Sequence, residues 1–222
     1  MWRGSAASRC WAKAAPIIMG ILSPTRVLAD RRKSKRDREG RTEVITTSNQ
    51  NYLAISIVTV VIVALAMFLT GHKLVDGPAA LPWPLRLLWG WFLWSRATEV
   101  LVAFYLDAFD KLSTAESSST LSWSRRIRLA LNSYAELVLN FALGYALLPV
   151  SGWHTRAQPA NLADLLFYSA STITTSGGGG FIPDSPALKF LTIYEIACGL
   201  ILLVVCFAIY AGRAFGSSER SD

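Results

Sequence analysis

Nucleophiles and metal-binding side chains are scarce in this chain. Its 222 residues include three cysteines, Cys10, Cys198 and Cys206, and two histidines, His72 and His154. Three cysteines, two of them within one apolar stretch, define neither a disulfide framework nor a Cys/His metal set. The histidines stand in separate polar connections with no acidic or nucleophilic neighbour in sequence, whereas general acid–base catalysis needs a partner within hydrogen-bond reach. There is no Walker phosphate loop, no Gly-x-Ser-x-Gly elbow and no dinucleotide fingerprint. The one glycine run has no Lys after it and no strand before it. These absences point away from an enzyme.

What the chain has in quantity is apolar length. Hydrophobic residues make up 52% of it, with eight Trp and a mean hydropathy of +0.36. Tyr52 to Thr70 is uncharged and about as long as the ~20 residues that cross a bilayer core, so its Val- and Ile-rich composition reads as a helix rather than a buried strand. Further spans are expected at about 86–107, 128–149 and 187–211. The second holds Arg96 and Glu99, each costing roughly 2.5–3.5 kcal/mol at the bilayer centre, so they should pair at i, i+3 or face protein. Trp83, Trp89, Trp91 and Trp94 suit an interfacial belt. The third carries Asn132, Glu136 and Asn140 on one face. That stripe is either an interhelical seam, with Glu136 a candidate partner for Arg96, or a modulatory site coupling the first two spans to the C-terminal half of the chain. A voltage sensor needs basic residues at every third position, and span two has only Arg96 in its middle.

Charge orients the spans. With the N-terminus inside, 17 of the 22 Lys and Arg fall on the inner side, which predicts a multi-pass protein of the cell membrane with both termini cytoplasmic. The run Arg31-Arg32-Lys33-Ser34-Lys35-Arg36 reads first as a solvated tail that fixes topology, and second as a surface for anionic lipid headgroups. No nucleic-acid partner is expected. Pro16, Pro24 and the lack of a small-x-small site argue against a removed signal peptide around Ala14 to Leu22.

Residues 161–183 carry the most specific pattern. Asn161 can cap a helix, with Asp164 at the capping-box position, and Leu162 to about Thr174 gives roughly three turns. A helix that short cannot cross. It would enter from the outer side and stop, which is tolerated only where the subsequent backbone lines water or is buried in protein. Its C-terminal carbonyls favour a cation, and the four glycines Gly177 to Gly180 offer only backbone, whose carbonyls in a ring can replace a hydration shell.

The segment Thr174-Thr175-Ser176-Gly177-Gly178-Gly179-Gly180-Phe181-Ile182-Pro183 resembles the Thr-Thr-Val-Gly-Tyr-Gly-Asp-x-x-Pro filter of the potassium-channel pore-domain family. Both threonines, two glycines and the proline are in register. Phe167-Tyr168 matches the family's pore-helix aromatic pair, and Gly199 resembles its inner-helix hinge, although a mid-span glycine is also a common helix-packing position. The likeness covers about residues 128–212. It implies that Thr175 offers a hydroxyl and a carbonyl at the inner mouth, that Ser176, Gly177 and Gly178 supply further carbonyl rings, and that Gly179 ends the filter. It also implies a homotetramer, since one loop cannot surround an axis and the module occurs once. No cofactor is expected beyond permeating potassium or other monovalent cations.

Three positions depart from the family pattern: Ser176 replaces Val, Gly178 replaces Tyr and Gly180 replaces Asp. Phe167 and Tyr168 thereby lose their usual partner unless Phe181 folds back. Each glycine adds backbone freedom that folding must remove at ~1–2 kcal/mol per residue, which favours a mobile filter and weak potassium preference. Glu195, one turn before Gly199, would either form an acidic ring in the cavity or sit paired against a neighbouring helix.

The expectation is thus an all-α membrane protein with four transmembrane helices, a re-entrant pore helix and a filter loop. Residues 1–50 form a basic cytoplasmic tail, 51–127 a two-span region, 128–212 the pore module and 213–222 a short tail. The competing reading is a non-conducting adaptor or regulatory subunit whose basic tail binds lipid or a partner.

Overall fold

The computed structural model describes residues 23–25, 27, 38–70, 82–112 and 122–203, and among these the fold is helical, with one isolated bridge between Trp153 and Pro183 in place of any sheet. Five helices succeed one another: α1 (Arg38–Thr70), α2 (Trp83–Leu112), α3 (Trp123–Ala146), α4 (Leu162–Ile173) and α5 (Pro186–Leu200). Proline falls where a helix tolerates it, in the first turn: Pro186 opens α5, and Ser185 before it accepts the amide of Leu188.

Among the described residues two helical stretches are long and apolar enough to cross a membrane, Thr42–Leu69 and Pro186–Leu203. With 30 and 24 residues, α2 and α3 also exceed the ~20-residue crossing length, but they bury charged and polar side chains. The outward face of α1, with Val58, Ile62, Leu65 and Phe68, is exposed hydrocarbon, as lipid contact requires.

At the centre is α3, which packs against each of the other four helices. Its face toward α1 carries two polar rungs seven residues apart on both helices. Asn49 Nδ2 donates to Ser133 Oγ at 2.7 Å, and Ser56 Oγ donates to Asn140 Oδ1 at 2.9 Å. The expected stripe is therefore shifted by one residue at its start: Ser133 takes the first rung and Asn132 is only half-buried. Toward α2 the contact is ionic. Arg96 donates from Nε to Glu136 Oε1 at 2.6 Å and from Nη2 to Oε2 at 3.1 Å, while Nη1 lies 2.9 Å from Glu99 Oε2. The Tyr52 ring of α1 covers the guanidinium at 3.7 Å. Both expected partners of Arg96 are thus present at once.

Several boundaries differ from expectation. The first helix begins at Arg38, well inside the segment assigned to a tail, because Thr42 and Asn49 find buried positions and carry the helix inward. Ser23 and Thr25 are buried too, with the Ser23 hydroxyl 2.9 Å from the Ser95 carbonyl oxygen and the Thr25 and Ser95 hydroxyls 2.9 Å apart. Part of residues 1–50 is therefore packed on α2 rather than free. The basic run 31–36, the 213–222 tail and the end of the expected fourth span lie outside the described residues.

Arg96 is the shared counter-charge of two buried carboxylates, so its removal should cost more than removal of either one. Arg96→Met leaves both acids uncompensated and is expected to lose roughly 3–5 kcal/mol; Glu136→Gln leaves the Arg96–Glu99 pair and should lose clearly less. Thermal unfolding of the purified protein in detergent checks the order, and a larger drop for Glu136→Gln would refute the shared role.

Candidate functional site

The short helix α4 is fixed at its start by side chains the sequence supplies. Asn161 Oδ1 accepts the Asp164 amide at 2.9 Å, and Asp164 Oδ2 accepts the amides of Ala160 at 2.7 Å and Asn161 at 3.3 Å. This reciprocal box satisfies orphan amide groups of the first turn. From there Leu162, Leu165, Tyr168, Ser169, Thr172 and Ile173 recur at helical spacing and are all buried, whereas Phe167 is 58% exposed.

The buried face meets an aromatic cluster. The Tyr168 ring stands edge-on to Trp153 at 4.8 Å, Tyr145 at 5.0 Å and Phe181 at 6.5 Å between centroids, within the range of favourable aromatic pairs. Its hydroxyl lies 2.9 Å from Thr192 Oγ1 of α5. Phe181 does fold back onto Tyr168, and Trp153, which no sequence pattern singled out, takes the closer position.

Beside this cluster lies Glu195, with no exposed surface even in the single chain. Tyr145 donates to its Oε2 at 2.6 Å and the Ser169 hydroxyl donates to its Oε1. A carboxyl so enclosed cannot line an open cavity, so the acidic-ring expectation is corrected: Glu195 joins α3, α4 and α5 behind the loop. Tyr145 and Ser169 were missed in the sequence. Their signal was present, since Leu137, Phe141 and Tyr145 succeed one another at i, i+4, i+8, and Ser169 interrupts the apolar stripe between Leu165 and Ile173.

Gly199 lies directly under the end of α4. A Cβ there would collide with the carbonyl oxygen of Ile173 and come within 2.8 Å of its Cγ1. Close approach of two helices explains this glycine, in line with the packing alternative. Beyond it the helix widens to a looser turn over residues 201–203.

The loop after α4 turns back on itself. Ser176 donates to the Ser171 carbonyl from its amide at 2.8 Å and from its hydroxyl at 3.0 Å, and the Thr174 hydroxyl donates to the Ala170 carbonyl at 2.8 Å. Thr175 has φ 59°, and Gly177, Gly178, Gly179 and Gly180 have φ of 107°, 64°, 63° and 87°. Successive residues of one hand coil, and the Phe181 amide closes the coil on the Gly178 carbonyl at 3.2 Å. A straight row of carbonyls needs residues of alternating hand, so the loop in the single chain differs from the expected extended ladder. The cause is local: the Ser176–Ser171 bonds draw its start back toward α4. Left-handed φ suits the glycines, whereas at Thr175 it costs roughly 1–2 kcal/mol.

The α4 aromatics Phe167 and Tyr168 lie directly against this turn. A Cβ on Gly178 would stand 3.1 Å from Tyr168 Cε2, and one on Gly179 would stand 2.5 Å from Phe167 Cε1. Gly177 and Gly180 have open space instead, with nothing within 4 Å of where a Cβ would stand. Thr174 through Gly177, together with Gly179 and Gly180, are exposed, and Gly178 is half-buried. After the turn the chain is clamped: Trp153 bridges Pro183, His154 N donates to Ile182 O at 2.9 Å, and Asp184 and Ser185 both donate to Gly152 O at 2.8 Å. Among the described residues no group of three or more His, Cys, Asp or Glu could hold a metal ion.

The arrangement can offer backbone oxygens and hydroxyls, not a catalytic set. Comparison with known proteins agrees with this. Residues 134–215 match a protein family described as ion channel. The chain is 34% identical over 94 residues to the inward rectifier potassium channel Kirbac3.1 of Paramagnetospirillum magnetotacticum, a match covering 42% of this chain and 31% of that protein. The chain thus spans about a third of that relative's length. No solved structure matches it. Through residues 134–215 the chain is thus similar to ion channels, and the relative that it matches is a potassium channel, in line with the filter-like segment 174–183.

Proposed function

We propose that this chain is the subunit of a homotetrameric cation channel, with four transmembrane helices, both termini cytoplasmic, and Thr174 to Gly180 lining the ion path. The observation that carries the proposal is a capped helix too short to cross, braced on its buried face by α3 and α5 and ending in an exposed turn that offers only hydroxyls and backbone. Polar backbone ending within a membrane is sustained by water or protein around it. Four copies about one axis supply both. Glycine moves between left- and right-handed backbone at little cost, so the coiled turn of one chain can extend when opposed by three others around a cation.

The substrates follow from the lining. Carbonyl and hydroxyl oxygens without a carboxylate select monovalent cations by field strength rather than net charge. Potassium permeates, and sodium is rejected only weakly, because no loop side chain stiffens positions 176–180. Planar bilayers containing the purified protein test this: a reversal potential showing a modest potassium preference is expected, and strong discrimination against sodium would refute the weak filter. Proteoliposomes with no potassium or sodium leak at any pH or voltage would instead favour the non-conducting adaptor. Replacing Gly178 by Tyr and Gly180 by Asp together should raise the potassium-to-sodium ratio once the Tyr168 ring has shifted aside; unchanged ratios would count against the register.

Glu195 provides a second test. Because its carboxyl is enclosed behind the loop, Glu195→Gln should leave unitary conductance unchanged, and a reduced conductance would restore the cavity ring. Glu195→Leu removes the acceptor that Ser169 and Tyr145 share and leaves them the Val138 carbonyl and Thr192 Oγ1; the two lost hydrogen bonds, at about 0.5–1.5 kcal/mol each, should lower the unfolding temperature of the assembly.

A further inference from the structure

A groove of about 670 Å³ opens between α2, the end of α3 and the start of α5. That volume is within the ~300–1,000 Å³ of small-molecule sites. Its walls are hydrocarbon and aromatic, contributed by Trp91 of α2, Phe141 and Leu148 of α3 and Phe190 of α5. Along α2 it extends from Trp83 to Ala97, about 21 Å at ~1.5 Å per residue. Half of a ~30 Å hydrocarbon core is about 15 Å, so the groove reaches from headgroup level to the bilayer midplane.

One charged residue, Arg86, lines the groove, near its outer end. The guanidinium of Arg86 has no ion-pair or hydrogen-bond partner among the described residues. At the deep end Asn140 already has its oxygen taken by Ser56, and the Tyr194 hydroxyl lies 2.9 Å from Thr98 Oγ1. The depth therefore offers nothing to a polar ligand, while the mouth offers an unpaired cation. Trp83, Trp89, Trp91 and Trp94 crowd the same end of α2, as interfacial aromatics do.

We infer that this groove is a structural lipid site holding one acyl chain of an anionic phospholipid, with the phosphate on Arg86. An apolar channel open to the membrane fills with hydrocarbon, and the lone arginine at headgroup depth selects the charge of the headgroup attached to that hydrocarbon. The lipid lies between α2 and the inner helix, where Trp94 stacks on Phe190 at 5.7 Å and Tyr194 at 4.2 Å. It thereby joins α2 to the pore module of residues 128–212. The inference rests on α2 crossing the membrane, and lipid binding is read without any current, so its failure leaves conduction standing.

Native mass spectrometry of the purified assembly with added phosphatidylglycerol or phosphatidylcholine tests it. One tightly held phosphatidylglycerol per subunit is expected in the unmodified protein. Arg86→Gln should weaken phosphatidylglycerol about fivefold, equivalent to the ~1 kcal/mol of one basic residue near an anionic surface, and leave phosphatidylcholine unchanged. Gly90→Leu fills the groove from a helical position with room for a side chain and should abolish retention of both. Glycerol phosphate at equal concentration should not compete, because the chain supplies most of the affinity. An undiminished preference for phosphatidylglycerol in Arg86→Gln, retained lipid in Gly90→Leu, or no bound lipid in the unmodified assembly because a neighbouring subunit fills the groove would each overturn it.

Discussion

A helix leaves its last carbonyls without partners of its own, and the rest of this structure depends on how α4 meets that constraint. Its own hydroxyls do part of it, with Thr174, Ser176 and Ser171 donating back to the final turn. Protein does the remainder. Gly199 lets α5 approach until its backbone lies against the Ile173 carbonyl, which any side chain there would prevent. Backbone groups away from water have to be bonded or covered, and α3 and α5 pack where α4 stops.

That placement in turn explains the distribution of buried polarity. Glu195 has zero exposure, yet it lies where three helices converge and both its oxygens accept hydroxyls. Glu136 is equally enclosed on the opposite side of α3, where Arg96 meets it with two nitrogens. One helix therefore carries an ionic contact toward the added helices and supplies Tyr145 to the hydroxyl–carboxyl contact toward the pore helix. Both are directional in a setting where apolar packing alone gives little register. The added helices and the pore module share α3 as a common wall, so a shift of α2 against it would be felt behind the loop.

Much of this was legible in the residues. The capping box, the length of α4, the Arg96 pairing and the location of the glycine loop followed from helical spacing and from the cost of isolated charge. The helix ends were less so, because Arg38 to Gln50 is compatible with either a tail or a helix and only burial of Thr42 and Asn49 decides. Glu195 was read both ways, since spacing gives the angle of a side chain about its helix but not what stands opposite. Trp153 was invisible for the same reason. It reaches Tyr168 through a loop whose course is set by backbone bonds to residues 182–185, and no periodicity announces such a contact.

The glycine run poses the remaining physical problem, which is what holds a bare backbone at a fixed radius. In the family it resembles, a loop side chain packs against the pore-helix aromatics. Here the direction is reversed. Phe167 and Tyr168 reach the loop, and the space a side chain would need at Gly179 and Gly178 is already taken by their rings. The glycines are thus required by the aromatics as much as the aromatics are freed by the glycines. Tyr168 is anchored by Trp153, Tyr145 and Thr192, so one side of the turn rests on a rigid surface, while the side facing Gly177 and Gly180 is open. A loop braced on one side resists collapse toward the helix but not widening, and in the proposed tetramer the constraint against widening comes from the neighbouring chains.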